Sequence, residues 1–141
     1  AYQCEDAEAI LITLGSVAGT ARCVVDAYRA EGKKVGLLKI RCMRPSPAEE
    51  IAEIVKNAKA VGVLEKDISF GFEGTVYTNV NSALKTSGVE VPTANYAGGL
   101  GGRSISKENI GEIYDALLAG KTDGKETTFL NLRRDICGTE C

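Results

Sequence analysis

Ala9-Ile10-Leu11-Ile12-Thr13-Leu14 runs directly into Gly15-Ser16-Val17-Ala18-Gly19-Thr20, and few folds accommodate that junction. The first six residues are apolar almost without a break, which reads as a strand covered on both faces of a sheet. The next six read as a tight turn into a helix, with glycines where the backbone must bend or pack closely and Ser16 placed to cap. Strand, small-residue turn and helix N-terminus in succession present an anion site in an open α/β sheet. This strand is therefore taken as the centre of the sheet.

The same alternation recurs along the chain. Val17, Ala21, Val24, Val25 and Tyr28 form a one-sided helical stripe that Gly32 ends, and Val35–Ile40 follows as a second strand. Arg41–Ser46 reads as a loop because of Pro45. Ser46 as N-cap, Pro47 as first helical residue and Glu49 as third make a capping box for a helix with Ile51, Ile54, Val55 and Ala58 inward. Ala60–Leu64 is the third strand, Glu65–Gly74 a loop, and Val76, Tyr77, Val80 and Leu84 mark a third helix that Gly88 closes. Val89–Asn95 reads as the fourth strand. Ser106 then caps a last helix, with Ile105 and Ile110 as a staple and Ile110, Ile113, Tyr114, Leu117 and Leu118 on one face. Four strand–helix alternations imply a three-layer α/β/α sandwich around a mostly parallel sheet. Short right-handed connections give the core strand order 2-1-3-4, with a switch-point crevice between strands one and three.

The 141 residues divide into one α/β domain over 1–120 and a C-terminal tail over 121–141, in which Phe129, Leu130 and Leu132 suit a short docking strand. A net charge of −2 argues against nucleic acid or an anionic membrane as the main partner. No apolar run approaches the roughly 20 residues of a membrane helix. The start at Ala1-Tyr2-Gln3-Cys4 is not signal-like, so the cytoplasm is the expected location, and the missing Met points to a piece of a longer polypeptide. Five cysteines and no histidine do not make a secreted disulfide framework. Cys23 and Cys42 read as small apolar residues, and Cys137 with Cys141 as half a metal site without its other half, hence as tail.

Chemistry is sparse. Gly15, Ser16 and Thr20, with Arg103 as an anion clamp, are the candidates for a crevice ligand, although Gly15–Thr20 lacks the dinucleotide fingerprint and also fits a plain helix–strand turn. Gly120-Lys121-Thr122 lacks the glycine and the following helix of a phosphate loop. Ser69-Phe70-Gly71-Phe72-Glu73-Gly74 either offers two aromatics to a partner's pocket or folds them onto the last helix. Gly99, Gly101, Gly102 and Arg103 suit close backbone contact with a neighbouring chain or ligand. Glu65 and Asp67 flank Lys66 and read as solvated rather than as an acid/base pair. No catalytic constellation is complete, so no catalytic or metal residue is assigned.

Taken together, Leu14–Ala21, Lys34–Arg41, Arg44-Pro45 with Pro47, Asp67–Gly74 and Gly99–Arg103 stand in an order that resembles the 2-oxoacid:ferredoxin oxidoreductases. The resemblance covers residues 6–118 and lies in the second domain of the α subunit, nearest the pyruvate-specific branch. Ser46 stands where the family carries an aromatic. The resemblance implies a transketolase C-terminal-like fold with an antiparallel strand before the first strand, of which Tyr2–Glu5 is the remnant. It also implies an assembly that decarboxylates a 2-oxoacid on thiamine diphosphate with Mg, passes electrons through iron–sulfur clusters to ferredoxin, and forms an acyl-CoA. Its cofactor-binding residues lie in the preceding α domain and another subunit, none within this chain. By that implication the domain is architectural and non-catalytic, packing against the thiamine-binding domain and other subunits. Two readings compete: a free-standing nucleotide- or phosphate-binding module, and a cysteine-based redox or metal protein.

Overall fold

The computed structural model describes residues 1–122 and 126–132. Its elements in chain order are β1 (Ala9–Leu14), α1 (Val17–Ala30), β2 (Val35–Ile40), α2 (Ala48–Val55), β3 (Ala60–Glu65), α3 (Thr75–Thr86), β4 (Thr93–Ala97), a 3-10 turn at Leu100–Gly102, α4 (Lys107–Leu118) and β5 (Thr128–Phe129). The sheet runs β2-β1-β3-β4-β5, every pair of these strands parallel. The 2-1-3-4 core order follows from the sequence alternation, and β5 adds a two-residue edge outside β4 with Tyr96 opposite Thr128.

Alternation along the strands divides the core into two layers. Ala9 and Leu11 face one side with Val35, Leu37 and Leu64, where α1 supplies Val24 and Val25 and α4 supplies Ile110, Ile113, Tyr114 and Leu117. Ile10 and Ile12 face the other with Ile40, Val61 and Val63, under Ile51 and Val55 of α2 and Val80 and Leu84 of α3. Both faces of β1 are thus covered by helices, the condition that its unbroken apolar run demands. Buried Thr13 is accommodated because its hydroxyl donates to the Leu64 carbonyl at 2.9 Å.

Several local expectations change. Ser16 occupies the N-cap of α1 with helical backbone and makes no side-chain cap bond. At α2 the capping box does not form: Ile51 N–H makes the first i to i−4 bond of the helix, to the Pro47 carbonyl at 3.0 Å, so Pro47 is the N-cap and Ser46 lies outside the helix. Ile54 and Ala58 are half-buried at the core margin. The fourth strand starts at Thr93 rather than Val89, because Val89 N–H closes the end of α3 on the Leu84 carbonyl at 3.0 Å and Pro92 has no N–H to pair. At α4 the Ser106 cap forms, and Asn109 completes the box by returning its side chain to the Ser106 N–H. Leu118 is exposed at the edge of its helix face.

The antiparallel strand implied before β1 is reduced to one bridge. Tyr2 N–H donates to Leu37 O at 2.8 Å and Leu37 N–H to Tyr2 O at 2.9 Å. Gly36 makes the approach possible, since a Cβ there would lie 2.7 Å from Gln3 O. Arg29 fastens the same segment, donating to Val35 O, Asp6 Oδ1 and Gln3 O, each at 2.7 Å. Cys4 is buried against this edge, with its thiol on the Leu37 carbonyl and burial pushing its pKa up. Cys23 and Cys42, read as small apolar residues, are exposed; Cys137 and Cys141 lie outside the described residues.

Candidate functional site

The loops after β1, β3 and β4 emerge at the carboxyl end of the parallel sheet, where α/β folds place their working surfaces. Glu65 ends β3 there, 4 % exposed rather than solvated. Its Oε2 accepts Val76 N–H at 2.7 Å, and its Oε1 accepts Tyr77 N–H at 3.1 Å and Asn95 Nδ2 at 2.9 Å. These amides are the second and third of α3, whose N-cap, Gly74, has no side chain to offer. Glu65 therefore caps α3 from the neighbouring strand and sets a carboxylate against the positive end of the helix. Burial raises its pKa; the Val76 and Tyr77 amides oppose that rise, Asp67 adds to it, and Asn95 opposes it.

Asn95, on β4 and 2 % exposed, completes the cluster. Its Oδ1 accepts Gly74 N–H at 2.9 Å and the Thr127 hydroxyl at 2.8 Å. Gly74 is dictated by contact: a Cβ there would overlap the Glu65 carboxylate. Among the described residues no buried side-chain nitrogen or oxygen lacks a partner. The bonds of this cluster tie β3, β4 and the start of α3 together.

Above this base the Ser69–Gly74 loop turns on two internal bonds, Phe72 N–H to Ser69 O at 3.0 Å and Ser69 N–H to Glu73 O at 3.1 Å, with Gly71 at φ +62°. Glu73 accepts the Thr78 hydroxyl at 2.8 Å. Phe70 is 106 % and Phe72 66 % exposed, so neither folds onto α4. Leu14, at the end of β1, adds a third exposed apolar side chain at this edge.

The glycine run after β4 is held in left-handed turns at Gly99, Gly101 and Gly102. The Lys66 stem lies against Gly99, 3.1 Å from where a Cβ would stand, which brings the β3 and β4 loops together. Arg103 is exposed, and its Nη1 donates to the Asn131 carbonyl at 2.8 Å. Gly15, Ser16 and Thr20 lie at the start of α1 beside β1, two strands from β4, so the structure gives Arg103 a partner beside β5 rather than at that turn.

Sequence reasoning missed Glu65, Asn95 and Thr127 as a unit. The available signal was a helix start at Gly74-Thr75 without a capping side chain, together with an acid ending an apolar strand. Thiamine diphosphate with Mg does not fit this edge: the α3 amides are taken by Glu65, and a second anion would meet that carboxylate. Among the described residues no three His, Cys, Asp or Glu side chains cluster to hold a metal, and no helix is long and apolar enough to cross a membrane.

The family model "Pyruvate:ferredoxin oxidoreductase core domain II" matches residues 7–110. "Pyruvate synthase subunit PorA" of Methanosarcina barkeri is 42% identical over 138 residues, 96% of this chain and 34% of that protein. The protein of the same name from Methanothermobacter thermautotrophicus is 48% identical over 112 residues, 79% of this chain and 28% of its own length. "Ketoisovalerate oxidoreductase subunit VorA" of Pyrococcus furiosus is 39% identical over 134 residues, 92% of this chain and 34% of its own. The chain spans about a third of the length of the curated relatives it matches.

Proposed function

The chain belongs to the pyruvate:ferredoxin oxidoreductase core domain II family, and on that premise we propose that it is the second domain of the α subunit of a 2-oxoacid:ferredoxin oxidoreductase, with pyruvate as the favoured 2-oxoacid. The assembly oxidatively decarboxylates the 2-oxoacid to an acyl-CoA and delivers the electrons to ferredoxin. Thiamine diphosphate, Mg and iron–sulfur clusters belong to its other parts. Here the domain is the α/β body of 1–120, with 121–141 as its tail, and the body presents a surface against which the thiamine-binding domain and the remaining subunits pack, in the cytoplasm. The relatives' names speak of subunits, and about two-thirds of their length lies outside the match, which supports further domains beside this one.

One observation carries the reading: the carboxyl edge pairs its buried polar groups with one another but exposes Phe70 and Phe72 on the Ser69–Gly74 loop. Two such side chains left in water are a feature of a surface meant to be covered. Ser69, Phe70, Gly71, Phe72, Glu73 and Gly74, with Gly99, Gly101, Gly102 and Arg103, form the proposed contact surface.

The test is affinity isolation of the tagged chain from its native host, with bound subunits identified by mass spectrometry and 2-oxoacid-dependent dye reduction assayed. Wild type retains the other oxidoreductase subunits; the double variant Phe70→Ser, Phe72→Ser loses them while staying folded. Equal retention by both removes the aromatic loop from the interface, and isolation of the wild-type chain alone overturns the subunit assignment.

A further inference from the structure

The loop between β3 and α3 makes two backbone bonds within Ser69–Glu73, and at its C-terminal end it is tied to the body by the Thr78 hydroxyl on Glu73 and by Gly74 N–H on Asn95 Oδ1. That same oxygen accepts the Thr127 hydroxyl, and a carbonyl oxygen has two lone pairs, so both are engaged. Asn95 Nδ2 meanwhile holds Glu65, the cap of α3. One buried amide thus joins three elements far apart in sequence: the end of β3, the start of α3 and the segment that forms β5.

The β5 segment is a short edge element. It pairs with β4 over two residues, and beyond that ladder it is held by Leu130 N–H to Ala97 O at 2.8 Å, by Arg103 on Asn131 O, by Asn131 Nδ2 on Ser104 O and Asn109 Oδ1, and by Leu130 packing on the core. Short edge elements with few ladder bonds open locally well before the body unfolds. When β5 leaves, the Thr127 hydroxyl leaves with it and the Asn95 amide loses one of its restraints.

We propose that Asn95 makes the order of the aromatic loop depend on the seating of residues 126–132, so that the β5 segment regulates the docking surface. This rests on the docking reading above only for what the loop is used for. The coupling itself is a property of this chain. In the seated state Thr127, Asn95, Gly74 and Glu65 hold the base of the loop and present Phe70 and Phe72. In the open state the loop base is looser and the aromatics are less well placed.

Amide exchange read residue by residue by NMR on the full chain tests this. In Thr127→Val, which removes only the hydroxyl bond, exchange at Gly74, Val76 and Tyr77 is expected to rise about fivefold, the effect of one hydrogen bond. Thr128→Val, one residue along β5, is expected to leave those amides unchanged. Unchanged exchange at all three in Thr127→Val overturns the proposal, as does an equal rise in Thr128→Val. No subunit is present in the measurement, so its failure leaves the docking reading standing, and failure of the isolation test leaves the coupling standing.

Discussion

Glu65 fixes α3 by its first turn, and its environment makes two substitutions informative. Gly74→Ala drives a methyl group into the Glu65 carboxylate although the backbone at Gly74, φ −71° and ψ 146°, tolerates any residue. The expected cost is about 1–3 kcal/mol, read as a lowered urea midpoint with unchanged slope. Glu65 also makes a pH prediction. Burial raises the native pKa above that of the unfolded chain, so between the two values the folded state holds more protons and stability increases as pH falls. Glu65→Gln does not titrate. The unfolding free energy of wild type minus that of the variant is therefore expected to grow as pH drops through the window just above the ordinary carboxylate value; a shrinking difference contradicts the assignment. At the residue scale only the uncapped helix start at Gly74-Thr75 and the acid that ends an apolar strand were legible; the partners were not. Glu65 and Asn95 are 30 residues apart and Asn95 and Thr127 are 32 apart, and sequence periodicity carries no information about which polar side chains meet across strands.

Elements were legible where an apolar stripe and a stop signal agreed, and misread where only a cap motif spoke. The strand at Ala9–Leu14 and the helix at Val17–Ala30 follow directly from an unbroken run and a one-sided stripe ended by Gly32. Ser46-Pro47-Ala48-Glu49 has capping-box spacing, yet Pro47 at ψ 51° is not helical and shifts the helix start past it. The two serines therefore differ in worth. Ser106→Ala removes a formed cap and is expected to cost about 1 kcal/mol. Ser46→Ala is expected to change stability by less than about 0.5 kcal/mol, since its side chain lies outside α2. Urea unfolding of the pair separates them, and equal costs would contradict the observed helix start. The fourth strand shows the opposite error, in which Val89 and Val91 supplied β-propensity to a segment that closes a helix and packs on the core margin.

For the whole molecule, topology came from the alternation of strands and helices, which with short connections leaves few arrangements besides 2-1-3-4. β5 escaped in detail because two residues cannot carry a period. The candidate crevice residues at Gly15–Thr20 and Arg103 looked like one site in sequence, but Arg103 has a partner beside β5. The covered and uncovered surfaces of the domain follow the same division: the core and its polar cluster are complete, while the aromatic loop faces out. Phe70→Ser with Phe72→Ser is accordingly expected to leave the unfolding free energy of the chain within about 0.5 kcal/mol of wild type, because neither ring is buried; a large loss would show that the rings pack on the domain itself. The proposed role requires that this domain position other protein while the cofactor is held elsewhere. Isothermal titration of thiamine diphosphate with Mg into the 141-residue chain is the decisive measurement. No saturable heat is expected; a saturable one-site isotherm overturns the proposed role.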